Sequence, residues 1–213
     1  MSNAKQMKRI LTLVVLTIFT VNLQAQKKEN TKTALILIDI QNDYFPNGKM
    51  ELSQPEKASL NAKKVLNEFR SKKLPVIHIQ HKSTRSGSSF FIPKTQGVEI
   101  HKNVKPIDGE NIITKHFPNS FRETELLKIL NEIRVEKLVI CGMMTHMCVD
   151  ATTRAAKDFG FECIVIGDAC ATKDLEVNGE NVKASEVQKS FLAALDYYYS
   201  DVLTTENFLK NHK

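Results

Sequence analysis

Short apolar runs of strand length alternate with stretches of helical spacing along most of the chain, and this alternation limits the fold more than any other feature. Residues 34–38, 75–80, 111–114, 138–141, 161–166 and 201–205 read as strands. The first, Ala-Leu-Ile-Leu-Ile, is apolar throughout, as strands covered on both faces are. Between the strands, residues 56–71, 123–133, 148–159 and 183–197 have helical spacing. Ala58, Ala62, Val65, Leu66 and Phe69 share one face of the first helix, and Leu126, Leu127 and Leu130 face inward from the second. Such alternation predicts an α/β fold, with a parallel sheet between helices. Residues 81–109 are rich in Ser, Gly, Pro and Lys. A loop that long inside one domain is usually functional or a lid.

One segment concentrates the chemistry. Residues 138–156 read LVICGMMTHMCVDATTRAA. The apolar run is broken at Gly142, and the helical stretch that begins near Cys148 closes at Gly160, as glycine often does past a helix end. The pattern is strand, tight turn, helix, with Cys148 at the turn-to-helix junction. A helix N-terminus favours a thiolate, and its N–H groups can hold an oxyanion. A free cysteine is also commonly a small buried apolar residue. A nucleophile therefore needs a base and an electrostatic partner from elsewhere in the chain.

The N-terminus has the plan of a secretory signal peptide. Lys8-Arg9 precede an apolar core at residues 10–21, and Leu23-Gln24-Ala25 ends on a small residue. The core is too short for an ordinary membrane span, although an uncleaved anchor is the alternative. The expected organisation is a signal peptide at 1–25, with Met7 as a natural start and 1–6 as an upstream extension. A flexible arm follows at 26–33, then a single domain at 34–213. A soluble exported protein, periplasmic and beginning at Gln26, is the expectation.

The chain has 213 residues and a formal charge of +6. Residues 1–25 carry three basic residues and no acid, so their removal leaves 27 basic against 24 acidic, a net of +3. The basic residues do not cluster into a nucleic-acid footprint. Neither G-x-G-x-x-G nor G-x-x-x-x-G-K occurs, so dinucleotide and P-loop sites lack support. The four cysteines, Cys141, Cys148, Cys163 and Cys170, form no C-x-x-C pair, which argues against zinc or thioredoxin-like chemistry. Export permits disulfides, but Cys141 and Cys163 lie in apolar strand-like runs, where buried free thiols are expected.

Three strand ends carry polar residues. Asp39 follows the first strand, Lys115 the third and Cys148 the fourth. In a parallel sheet all three ends lie on the edge where open α/β folds keep their ligands. A carboxylate able to take a proton, an ammonium able to stabilise anions and a thiol form a complete nucleophile set. Taken singly, Asp39 has a loop-capping acid as its alternative and Lys115 a surface lysine.

These residues sit in stretches that resemble the isochorismatase-like cysteine hydrolases, a superfamily that includes nicotinamidases, carbamoyl amidases and streptothricin hydrolases. The stretches are Leu-Ile-Asp-Ile-Gln-Asn-Asp at 37–43, Lys-His-Phe-Pro-Asn-Ser-Phe at 115–121 and Cys-Gly-Met-Met-Thr-His-Met-Cys-Val at 141–149. The resemblance runs from about residue 33 to 205. It implies a six-stranded parallel sheet in a three-layer α/β/α sandwich of Rossmann-like topology. It also implies Asp39 as general base and acid, Lys115 as electrostatic partner and Cys148 as nucleophile. A cis peptide between Met143 and Met144 is implied too, with the Met144 and Cys148 N–H groups as oxyanion hole. Family members often form dimers or larger assemblies, so a homo-oligomer is expected.

One departure bears on the substrate. Nicotinamidases have a metal site on an Asp-x-His pattern after the second strand, where this chain reads Val-Ile-His-Ile-Gln-His-Lys-Ser at 76–83. The aspartate is missing, and His78 and His81 are three apart, on opposite sides of a strand. No metal or other cofactor is therefore expected, and nicotinamide is put in doubt. Isochorismatases that cleave a vinyl ether need no cysteine nucleophile, so Cys148 argues for a small-molecule amide. Phe45, His81, Phe117 and Phe121 are candidate pocket residues, although aromatics at strand ends are as often core. The rival readings are an ether hydrolase with Cys148 as a bystander and a catalytically silent binding protein.

Overall fold

The computed structural model describes residues 32–211. The expected leader at 1–25 and all but the last two residues of the expected arm lie outside the described residues. The sheet has six parallel strands: β1 (Thr33–Ile38), β2 (Val76–His81), β3 (Asn111–Lys115), β4 (Lys137–Met143), β5 (Glu162–Ala171) and, after a hairpin, β8 (Asp201–Leu203). Their order is β3-β2-β1-β4-β5-β8. The chain starts in the middle and winds outward in both directions, so the topological switch point falls between β1 and β4. In open α/β sheets the ligand crevice lies there, at the carboxyl ends of the strands. Asp39 and Cys148 follow the two strands that flank it.

Alternate residues of β1 explain the layers. Leu35 and Leu37 pack with Ala62, Val65, Leu66 and Phe69 of helix α1 (Pro55–Ser71) and with Phe208 of α5 (Thr205–Asn211). Ala34, Ile36 and Ile38 face the other way. They join Leu126 and Leu130 of α2 (Leu126–Glu132), Ala156 of α3 (Asp150–Asp158) and Leu195 of α4 (Ala184–Tyr198). The period of two along each strand thus builds one apolar layer on either face. The expected three-layer α/β/α sandwich follows directly. Pro55 opens α1 at the position where a missing N–H costs nothing.

Several boundaries differ from expectation. The second helix begins at Leu126 rather than residue 123, because Glu123 has φ of 56° and cannot continue a helical turn. The last strand stops at Leu203, and Thr205 instead opens α5, a helix absent from the reading. β5 runs on through Gly167 and Asp168 to Ala171, and its pairing with β4 shifts between Ile140 and Gly142. A small hairpin, β6 (Leu175–Val177) and β7 (Glu180–Val182), occupies what reads as a polar loop. Its turn is Asn178-Gly179, both at positive φ, a strong local hairpin signal that the reading passed over.

Gly142 matters to the packing of the two central strands. It has φ of 143°, and a Cβ there would lie 2.1 Å from the Ile38 carbonyl oxygen. No larger residue fits where β4 passes β1. None of the helices among the described residues is long and apolar enough to cross a membrane.

Candidate active site

The sheet brings Asp39, Lys115 and Cys148 to one point. Asp39 leaves β1 with φ of 50°, its N–H still bonded to the Ile79 carbonyl at 3.1 Å. Lys115 ends β3, two strands away, or roughly 10 Å at the usual spacing, and its long side chain reaches back across β2. Cys148 lies in a π-helical turn, Thr145–Val149, just ahead of α3. The helix therefore starts later than the sequence implied, and the thiol sits in the turn before it. The Met143–Met144 peptide that leads into this turn is cis.

Lys115 Nζ is the hub. It lies 2.7 Å from Asp39 Oδ2, 3.1 Å from the Phe117 carbonyl oxygen, 3.2 Å from Cys148 Sγ and 3.3 Å from His81 Nδ1. Asp39 and Lys115 are 0% exposed and Cys148 is 3% exposed. In such dry surroundings the ion pair is hardly screened by solvent. At 2.7 Å the ammonium and Asp39 Oδ2 form a close, charge-assisted pair. The same carboxylate lies beside the thiol and acts on it.

The electrostatics follow from this packing. Burial works against the Lys115 charge, but Asp39 and Cys148 outweigh it and raise its pKa above the ordinary value. Burial and then Asp39 push the Cys148 thiol up to about 12, against the opposing pull of Lys115. The resting group is therefore a thiol, whose proton an adjacent base would have to take. The position ahead of a helix does not compensate for loss of solvent and a neighbouring carboxylate. The Tyr44 phenol is also raised, by burial and then by Cys148, Asp39 and Asp43.

The surrounding residues hold the geometry. The buried Gln41 acts as a surrogate strand. Its Oε1 accepts the His81 N–H at 2.8 Å, and its Nε2 donates to the His81 and Val98 carbonyls at 2.9 and 2.7 Å. Asp43 fastens the long loop, accepting the Phe91 N–H at 2.6 Å and the Lys49 N–H at 3.2 Å. Gly97 lies so close that a Cβ would be 2.1 Å from Asp43 Oδ1. Phe91 in turn packs edge-on against Tyr44, with ring centroids 4.7 Å apart. Neither Gln41 nor Asp43 was singled out from the sequence. The run of amide and acid side chains straight after a strand, where free carbonyls need partners, was the available signal.

Of the candidate pocket residues, His81 reaches the hub. Phe117 does so through its carbonyl, while its ring carries the Arg122 guanidinium at 3.7 Å. Phe45 stacks on His101 at 3.6 Å within the α1-side core. Phe121 packs on Phe159 and Phe161, beside the start of β5 and so at the opposite end of the sheet. His78 turns away from the hub to Glu110, 2.9 Å distant.

Asp39, His81 and Cys148 each offer a ligand atom, all within 4.8 Å of one another. The Lys115 ammonium, however, already touches all three residues. A metal ion would have to displace a buried cation, so this donor set fits an ammonium rather than a metal.

The doubly wound α/β sheet thus holds a carboxylate, an ammonium and a thiol together at its switch point. The isochorismatase domain family matches residues 33–206, and the chain belongs to that family. It is 53% identical to the isochorismatase family protein YddQ of Bacillus subtilis, over 84% of this chain and 99% of that one. The crystal structure of an isochorismatase hydrolase from Oleispira antarctica superposes with a TM-score of 0.82 at 45% identity, covering 85% of this chain and 97% of that one. A streptothricin hydrolase of Streptomyces noursei is 29% identical over 67% of this chain and 50% of its own length.

Proposed function

We propose that the protein hydrolyses a small non-peptide amide through a thioester on Cys148. The observation that carries this reading is the single buried ammonium that touches both the Asp39 carboxylate, at 2.7 Å, and the Cys148 thiol, at 3.2 Å. A thiol held near pKa 12 must lose its proton as it attacks, and Asp39 is the adjacent base. Asp39 takes that proton as sulfur bonds to the carbonyl carbon and the carbonyl electron pair moves to oxygen. The Met144 and Cys148 N–H groups receive the oxyanion. Collapse breaks the C–N bond, and Asp39 returns the proton to the departing nitrogen. Asp39 then deprotonates a water that attacks the thioester. The C–S bond breaks, the sulfur regains a proton and the carboxylic acid leaves. Lys115 stays protonated throughout and offsets each anion in turn.

The experiment is a screen of small amides and lactams for release of ammonia or amine, with Cys148→Ala as control and intact-protein mass spectrometry during turnover. The expected result is a mass gain of one acyl group, mapped to Cys148. Release of ammonia or amine that persists in Cys148→Ala would overturn the thioester route. Failure of every amide in both proteins would overturn the amidase reading and leave the ether hydrolase and the binding protein.

A further inference from the structure

His81 stands beside the three reacting side chains, and none of the steps above uses it. It is the last residue of β2 and the register partner of Lys115 on β3, so the lysine must pass it to reach Asp39. Unlike those three residues, it is only half-buried. Its backbone is clamped on both sides by the Gln41 amide, and its ring lies 5.7 Å from that of Phe91.

The Lys115 contact dictates the chemistry of this imidazole. An ammonium has no lone pair, so a hydrogen bond between Lys115 Nζ and His81 Nδ1 has the lysine as donor. Nδ1 must accept, and the ring proton must sit on Nε2. The same ammonium disfavours a second proton. Burial is the largest cause, and it and Lys115 together outweigh the attraction of Asp39, lowering the His81 pKa to about 4. The ring is therefore neutral at physiological pH and locked in one tautomer. Its only remaining polar group is a donor, and no hydrogen bond to another described residue uses it.

We propose that His81 contacts the substrate, its Nε2–H donating a hydrogen bond to an uncharged acceptor atom of the acyl group. This rests on the acyl-transfer reading above and adds a specificity rule. The substrate presents a carbonyl, hydroxyl, ether or ring-nitrogen lone pair at that position, and compounds that present an N–H there are rejected. His81 is neither the base nor the acid of the reaction, because Nδ1 is occupied and the ring does not gain a second proton in the working range.

The test uses p-nitrophenyl methoxyacetate as an acylating probe, because its ether oxygen gives the acyl group an acceptor besides the reacting carbonyl, with wild type, Cys148→Ser, His81→Phe and His81→Gln. Wild type should give a p-nitrophenolate burst that Cys148→Ser lacks. His81→Phe should raise the half-saturating probe concentration about tenfold, the worth of one hydrogen bond, with the limiting burst rate changed less than about twofold. His81→Gln, which retains a donor, should stay within about threefold of wild type. In parallel, nitrogen NMR of ring-labelled protein should show the Nε2–H tautomer, unchanged between about pH 5 and pH 8. No burst from wild type overturns the acyl-transfer reading and this inference with it. A normal burst that His81→Phe leaves untouched overturns the role of His81 alone. So does an Nδ1–H tautomer, or a titration near the ordinary histidine value.

Discussion

Replacing Lys115 with methionine tests the buried hub directly. Methionine nearly keeps the length and apolar character of the stem and removes the charge. Lys115 is 0% exposed, and its ammonium lies 2.7 Å from an Asp39 that is also 0% exposed. Lys115→Met therefore strands a carboxylate in the core, and breaking a buried pair in this way costs about 3–5 kcal/mol. For a domain of this size, each kcal/mol moves Tm by about 2–4 °C, so a drop of roughly 6–20 °C is expected. A surface lysine would cost less than about 0.5 kcal/mol. Asp39→Asn/Lys115→Met removes both charges, and more than half of the lost stability should return, because the penalty lies in the unpaired charge. Neither variant should acylate Cys148. The assay is urea unfolding of the four proteins of this cycle, at low salt and at about 0.5 M salt. The Lys115→Met deficit should hold at high salt, since a buried pair is poorly screened. A Lys115→Met protein within about 1 kcal/mol of wild type would refute the buried hub, whatever its activity.

Further predictions concern the thiols, an acid and a glycine. The Cys148, Cys163 and Cys170 thiols are raised to about 12, each chiefly by burial. Alkylation of Cys148 by iodoacetamide should therefore keep accelerating up to about pH 10, and Asp39→Asn should speed it at any given pH; a plateau near pH 7 counts against this. Burial alone would raise the Glu110 carboxyl, but Arg70, the Ile107 N–H and His78 outweigh it and bring it to about 2 from the ordinary 4.5. The folded value is depressed, so the ionised Glu110 adds stability in full above about pH 4.5, and that stability is lost as pH falls toward 2. Glu110→Gln should cost roughly 1–3 kcal/mol at neutral pH, after allowing for solvent screening, and flatten that part of a stability–pH profile. Gly142→Ala places a Cβ 2.1 Å from the Ile38 oxygen at φ of 143°. It should lower stability by more than about 3 kcal/mol or prevent folding, measurable by circular dichroism and solubility.

Much of the frame was legible in the residue order, because it rests on local periodicity. The apolar run at 34–38 needs cover on both faces, and Ala58, Ala62, Val65, Leu66 and Phe69 can face a sheet only from a helix. Once the strands are parallel, Asp39, Lys115 and Cys148 fall on one edge without further information. The Asn178-Gly179 hairpin was equally legible and went unread, whereas α5 carried no comparable signal. Tertiary structure alone decided the properties that arise from convergence. Cys148 stands in sequence as a thiol ahead of a helix, where a lowered pKa is expected, yet burial and a carboxylate from another strand raise it. His81 and Phe121 look alike as strand-end candidates, but one lies against Lys115 and the other against Phe159 and Phe161. The roles of Gln41 and Asp43 depend on carbonyls and N–H groups some 40 to 57 residues away in sequence. Periodicity is a property of neighbours along the chain, and so the sequence states it. Desolvation, charge pairing and tautomer choice are set by which distant groups meet in space, and that is determined only when the sheet closes.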